Sequence, residues 1–384
     1  MKRMQGVTIR AASVSNQERN GLDLILFGAT LAVLSLGILF VYSTSGIAAE
    51  RMYGSAHFYL FKQAVFGAFG IGIMLVCSMI DYHRWLKMTP VFYFAAVLGL
   101  VLVLVGLGHS AGGSSRWIPL GAVSIQPSEF AKLALIFYLA HSLANRGEKV
   151  ESFKEGFLPT IVIAGIPMFL TLLQPDFGTA ILMGMITMLL LFIAGTRVPY
   201  MIMMGIAALP VLYALLFSAA YRRNRILAFL DPWSDPSGVG FQIIQSYIAF
   251  GSGGLWGRGL GEGRQKLFFL PEAHTDFIFS VFGEEAGFIG VLFLILLYVI
   301  IVWRGLAIAL RARDEYGTFL AAGITGMFGI QVCVNMAVVT GLVPTKGLAL
   351  PLMSYGGSAL VMNLIALGVL QSVHSFGKGE PDET

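Results

Sequence analysis

Residues 271–281, PEAHTDFIFSV, set His274 and Asp276 directly ahead of a long apolar run. A carboxylate in that position has two uses. In the first turn of a helix it is favoured by free backbone amides and by the positive end of the macrodipole. Beside cations and a bound substrate it can instead take a proton from a reacting hydroxyl. Other ionisable groups interrupt apolar sequence, where charge is costly and therefore informative. Glu129 and Lys132 are three residues apart, so they share a helix face and can pair, and Pro127 just before them suits a first helical turn. Asp176, in QPDFGT, suits a helix N-cap. Glu284 and Glu285 follow Asp276 on the same run, about 12 to 14 Å deeper at helical rise, and either suits the partner of a buried cation.

These residues sit in a chain of 384 residues that is 57% hydrophobic and only 12% charged. That composition excludes an ordinary soluble domain, and no nucleic-acid partner is expected of a polytopic membrane protein. The two cysteines, Cys77 and Cys333, lie inside apolar runs and read as small core residues rather than as a disulfide or a metal site. Apolar runs of roughly 18 to 25 residues recur, centred near residues 33, 70, 99, 137, 166, 187, 209, 290, 328 and 361. The expected fold is all-α: a polytopic integral membrane protein of about ten transmembrane helices. The first run, from Leu24 to about Tyr42, is too long for a signal-peptide core and reads as an uncleaved anchor.

With the N-terminus inside, the inner segments hold fourteen of the 25 Lys and Arg residues, as the charge bias of membrane proteins requires. Arg116, Glu129, Lys132, Asp176, Asp276, Glu284 and Lys346 then all map to the outer half. Six further cations, among them Arg264 and Lys266, fall in one long outer loop, about 221–275, whose length argues for function. Within it, GFQIIQSYIAF places Phe241, Ile244 and Ile248 on one face, the pattern of a short helix lying on the outer leaflet. The following GSGGLWGRGLGEGRQK has neither dinucleotide nor P-loop spacing. The predicted organisation is a tail at 1–21, one membrane unit at 22–374 and a tail at 375–384. The loop, the polar SSRWIPLGAVSIQPSE and GLVPTKGLALPLMSYGGS can together line one cavity open to the outer leaflet. A carboxylate beside several cations there suits a substrate with a lipid tail, an anionic linkage and a polar head.

LPEAHTDFIFSVFGEEAGFIG, SSRWIPLGAVSIQPSEFAKLALI, LLQPDFGTAIL and GLVPTKGLALPLMSYGGS closely resemble the SEDS proteins (shape, elongation, division, sporulation), over about residues 22–374. PTKG before LPLMSYGG is similar to the division branch more than to the elongation branch, and Ala359 stands where a second serine is expected. The resemblance implies a peptidoglycan glycosyltransferase of the bacterial inner membrane that polymerises lipid II at the septum. Both termini would be cytoplasmic and the active site periplasmic. Asp276 takes the position of the catalytic aspartate, while Arg116, Trp117, Glu129, Lys132 and Lys346 fall on motifs that line the central cavity.

Such a reaction needs a base for the acceptor hydroxyl and charge stabilisation for a polyprenyl pyrophosphate leaving group. Asp276 is the expected base. Arg264, Lys266, Arg116 or Lys132 would hold the pyrophosphate, with a divalent cation (Mg or Mn) left open, and His274 is expected to position substrate by hydrogen bonding. Direct displacement inverts configuration and needs no second carboxylate. The resemblance further implies a class B penicillin-binding protein as transpeptidase partner, alongside other division proteins, and low activity for the isolated chain. A lipid II flippase and a non-catalytic scaffold are the alternative readings.

Overall fold

The computed structural model describes residues 21–111, 114–121, 123–217, 220–266, 274–345 and 347–377. Helix α1 spans Leu24–Tyr53, α2 Phe58–Met79 and α3 Tyr82–Leu102. A small antiparallel sheet follows, β1 His109–Ala111, β2 Ser114–Leu120 and β3 Val123–Ile125, with β2 in the middle. Then come α4 Pro127–Ala144, α5 Leu158–Leu173, α6 Phe177–Ile193, α7 Val198–Phe217, α8 Ala220–Leu230, α9 Phe241–Gly253, α10 Ile278–Leu310, α11 Glu315–Val339 and α12 Gly357–Phe376.

Among the described residues, eight helical stretches are long and apolar enough to cross a membrane. Helices also stand at the other two expected centres. There α6 has 17 residues, and α4 carries Glu129 and Lys132. The packing ranks the spans: the apolar windows of α11 and α12 are 61% and 67% buried, that of α7 not at all. The core is therefore α4, α11 and α12 with their neighbours, and α7 stands at the edge. Without a hydrophobic drive between helices in lipid, small residues set close approach. On α12, Gly368 faces α2 so tightly that a Cβ would lie 2.6 Å from the Met74 carbonyl oxygen.

The first and last described spans meet at one face, called here the terminal face. The Asp23 amide donates to Gln371 Oε1 at 2.8 Å, and Gln371 Nε2 donates back to the Asp23 carbonyl at 3.0 Å. The Asp23 side chain caps α1 by accepting from the Leu26 amide and also pairs with Arg304 near the end of α10. A second cluster joins the start of α3 to the start of α11: the ring nitrogens of His83 lie 2.8 Å from both Asp81 and Asp314.

The far face is built on a broken helix. Within α10, Gly287 adopts φ 68 and ψ −172, outside the helical region. The chain at 254–259 runs alongside and supplies the missing pairings. The amides of Phe288 and Ile289 donate to the carbonyls of Gly254 and Leu255 at 2.9 and 3.1 Å, while those of Arg258 and Gly259 donate to Glu284 and Glu285 at 3.0 and 3.1 Å. The glycine-rich stretch is thus a splint for α10. Nearby, α9 differs from the face expected of it. It packs on α10 through Ile243, Ile244, Ser246, Ala249 and Gly253, and Ile248 is exposed. The cause is polar: Ser246 is fully buried and bonds Ser280 Oγ and the Val339 carbonyl, partners available only inside the protein.

Candidate active site

Asp276 lies two residues ahead of α10, and its residue is half-buried rather than sealed. Its carboxylate packs against Gly347, where an added Cβ would sit 3.0 Å from Oδ2. This brings GLVPTKGLALPLMSYGGS against the PEAHTD segment, as expected of a shared site. The contact continues along the backbone. The carbonyls of His274, Thr275 and Asp276 lie just ahead of the helix, where backbone acceptors must find partners. They accept from the Tyr355 amide at 2.9 Å, Ser354 Oγ at 2.6 Å and Asn335 Nδ2 at 3.0 Å, respectively. The ring of His274 lies among aromatic side chains, with centroids 5.2 Å from Tyr59 and 5.9 Å from Tyr355.

Asn335 also donates to the Leu348 carbonyl at 2.6 Å, and one helical turn earlier Gln331 donates to Ala349 at 3.0 Å. Gln331 Oε1 in turn accepts from Lys132 at 3.3 Å, and Lys132 pairs with Glu129 at 2.9 Å. The expected Glu129–Lys132 pair is therefore present and buried. It connects α4 through one face of α11 to the loop that meets Asp276.

Arg116 on β2 reaches the turn between α5 and α6, donating to the Pro175 carbonyl at 2.5 Å and lying 3.7 Å from Asp176. Asp176 caps α6 by accepting from the Thr179 amide at 3.3 Å, as its position in QPDFGT suggests. It also accepts from Gln126 and Ser128 at 3.4 and 3.5 Å, so it ties the start of α4 to that turn as well. Trp117 neighbours Arg116 on β2 and is half-buried. The first residues of α12 join this layer through Ser358 Oγ, which donates to the Ser124 carbonyl at 3.3 Å.

The loop cations are placed differently from one another. The Lys266 side chain is only 6% exposed, and it donates to Glu285 at 2.7 Å and to Ser43 of α1 at 2.9 Å. This is the buried cation that the Glu284/Glu285 position suits. It sits about 13 Å along the chain direction of α10 from Asp276 at helical rise. Arg264 is exposed, and its backbone amide donates to Glu284 at 2.9 Å. A cavity of about 580 Å³ opens on the α1 side of this joint, lined by Leu39, Tyr42, Gly46, Leu260 and Lys266 among others. Lys346 lies outside the described residues. Among those described, no group of three or more His, Cys, Asp or Glu side chains is arranged to hold a metal.

The sequence reading passed over Gln331, Asn335, Ser354 and Ser43. A signal was present for two of them: Gln331 and Asn335 are polar, spaced by four, inside an otherwise apolar span, and polar groups at such depth need a reason.

Long apolar helices, eight of them able to cross a membrane among the described residues, define a multi-pass membrane protein. Within that class, the chain belongs to the FtsW/RodA/SpoVE family of cell cycle proteins, whose family model matches residues 23–379. A protein of Geobacter sulfurreducens named probable peptidoglycan glycosyltransferase FtsW is 48% identical over 360 residues, covering 94% of this chain and 96% of that one. Stage V sporulation protein E of Bacillus subtilis is 43% identical over 357 residues, 93% of this chain and 98% of that one. Among solved structures, a chain of a peptidoglycan synthase complex matches with TM-score 0.74 and 35% identity, over 92% of this chain and 98% of that one. The rod shape determining protein RodA of Thermus thermophilus matches with TM-score 0.69 and 29% identity, over 95% of this chain and all of that one. The likeness of PTKG to the division branch agrees with the higher identity to FtsW than to RodA.

Proposed function

We propose that this protein is a peptidoglycan glycosyltransferase that extends glycan strands from lipid II during septal wall synthesis. The observation that carries the reading is a half-buried Asp276, set against the PTKG-containing loop and fixed through its backbone, in a chain 48% identical to a relative of that name. Asp276 accepts the proton of the acceptor sugar hydroxyl as its oxygen attacks the anomeric carbon of the growing glycan. The bond to the polyprenyl pyrophosphate breaks on the opposite side, with inversion. The pyrophosphate leaves as a stable anion, so the site needs no second carboxylate acid.

Lys132 and Lys266 each have a buried glutamate within 3 Å, at 2.9 and 2.7 Å. We therefore assign the developing negative charge first to Arg264 and Arg116, whose side chains are more open, and to Lys346 on the grounds of the family resemblance. Trp117 and His274 would contact the sugar or its carrier. A divalent cation, where bound, would serve as the counter-ion of the pyrophosphate.

The reading places the protein in the bacterial inner membrane, with the Asp276 face outward and the terminal face in the cytoplasm. A class B penicillin-binding protein would cross-link the product within a larger division assembly. The test is polymerisation of lipid II by the purified protein with that partner, comparing wild type with Asp276→Asn. The substitution keeps the side-chain shape. Loss of long glycan strands is expected, and near-normal strands would overturn the assignment.

A further inference from the structure

We infer that Asn335 and Ser354 are positioning residues for Asp276, acting through its backbone; the inference rests on Asp276 being the base. A carboxylate on a segment just outside a helix has no helical register of its own. Here three successive carbonyls, of His274, Thr275 and Asp276, are captured by the Tyr355 amide, Ser354 Oγ and Asn335 Nδ2. Two of the three donors are side chains, and both are bound on their other side to the 348–355 loop. Ser354 Oγ accepts from the Leu350 amide at 2.8 Å, and Asn335 Nδ2 donates to the Leu348 carbonyl at 2.6 Å. Each side chain therefore couples the backbone of the Asp276 segment to the backbone of the loop whose Gly347 touches the carboxylate.

The chemistry of Asn335 fits a role of this kind better than one in general stability. Both its neighbours are carbonyl oxygens, so the NH2 orientation is fixed by the acceptors. Its Oδ1 is buried and finds no partner among the described residues, an arrangement with a cost of its own. The side chain has its donors matched to two backbone segments at the expense of its own acceptor. Asp at this position would keep the shape and remove both donors.

The test uses the full protein with its transpeptidase partner, measuring kcat and KM for lipid II polymerisation and the unfolding temperature. Asn335→Asp and Ser354→Ala are expected to lower kcat by about 10- to 100-fold with KM changed less than about threefold, the signature of a misplaced reacting group. Ser354→Thr, which retains the hydroxyl, is expected to restore most of the loss. Gln371→Ala, which removes comparably buried bonds at the terminal face, controls for destabilisation and is expected to leave kcat near wild type. Unchanged kcat in folded Asn335→Asp and Ser354→Ala overturns the inference, as does an equal loss in Gln371→Ala. If Asn335→Asp does not fold, the Ser354→Ala and Ser354→Thr pair decides alone. Asp276→Asn run in parallel separates the two claims: if it is inactive while the positioning variants work normally, only the inference fails, and if it is active the base assignment fails first.

Discussion

The segment carrying Asp276 is held differently from the acidic residues of the terminal face. At the terminal face, side chain meets side chain: Asp23 with Arg304, and Asp81 and Asp314 with His83. These clasps close one helix end on another. At the far face, the segment carrying Asp276 is held by its main chain, through Asn335, Ser354 and the Tyr355 amide, while the carboxylate lies half-buried over Gly347. The lesson is that a segment placed just outside a helix can be fixed through its main chain, whereas helix ends are closed on one another by matching side chains directly.

The contrast can be tested in steps, beginning with the largest effect. Asp276→Asn should lower polymerisation by about 10²- to 10⁴-fold, the range for losing a general base, with an unfolding temperature close to wild type. Equal losses of activity and stability would make Asp276 a clasp like those opposite. Next, Lys266→Met strands Glu285 in a buried site, and removing one member of such a pair costs about 3 to 5 kcal/mol. Thermal unfolding in detergent should show the loss, and adding Glu285→Gln should recover much of it. No recovery would mean that the pair is not the relevant contact.

Gly287→Ala should destabilise by about 1 to 3 kcal/mol from backbone strain at φ 68, with more from collision with the 254–257 chain. A neutral result in the same unfolding assay would refute the splint. The smallest effect concerns acid. Burial pushes the Asp314 carboxyl up, but bonds from His83, Tyr82 and the Gly317 amide outweigh it and hold it below the ordinary range. The bond from His83 holds Asp81 low as well. Such groups contribute stability that is complete above the ordinary carboxylate value of about 4 and is lost as pH falls through the lowered folded value. Asp314→Asn should therefore flatten the low-pH limb of a stability profile, by about 1 kcal/mol for a partly exposed cluster.

Much of this was legible in the sequence. Apolar run lengths located the spans, although composition alone overstated how uniform they are: α6 is short, and α4 carries a buried ion pair in its first turns. The Glu129–Lys132 pair followed from helical spacing. The small sheet at 109–125 did not, because its strands are of three, seven and three residues, too short for an alternating pattern to stand out. The face of α9 was misjudged because it was drawn from the apolar residues Phe241, Ile244 and Ile248 alone, when the Ser246 hydroxyl has partners on two other segments. The tethers on Asp276 were beyond sequence reasoning for a plain reason: Asn335 and Ser354 reach their carbonyls across 59 and 79 residues of chain. Lys266 was legible as a cation in the long loop, but its pairing with Glu285 was not, because charge is visible in a sequence and a partner on another segment is not.

The splint at Gly287 divides α10 mechanically. Below it, the helix is an ordinary rod set by its apolar neighbours. Above it, the turns that lead from Asp276 take their orientation from the chain at 254–259, which supplies the hydrogen bonds that the rod gives up. Because that chain also accepts from Phe288 and Ile289 on the lower side, bending α10 at Gly287 would break hydrogen bonds, and the angle between the two segments is pinned from both ends.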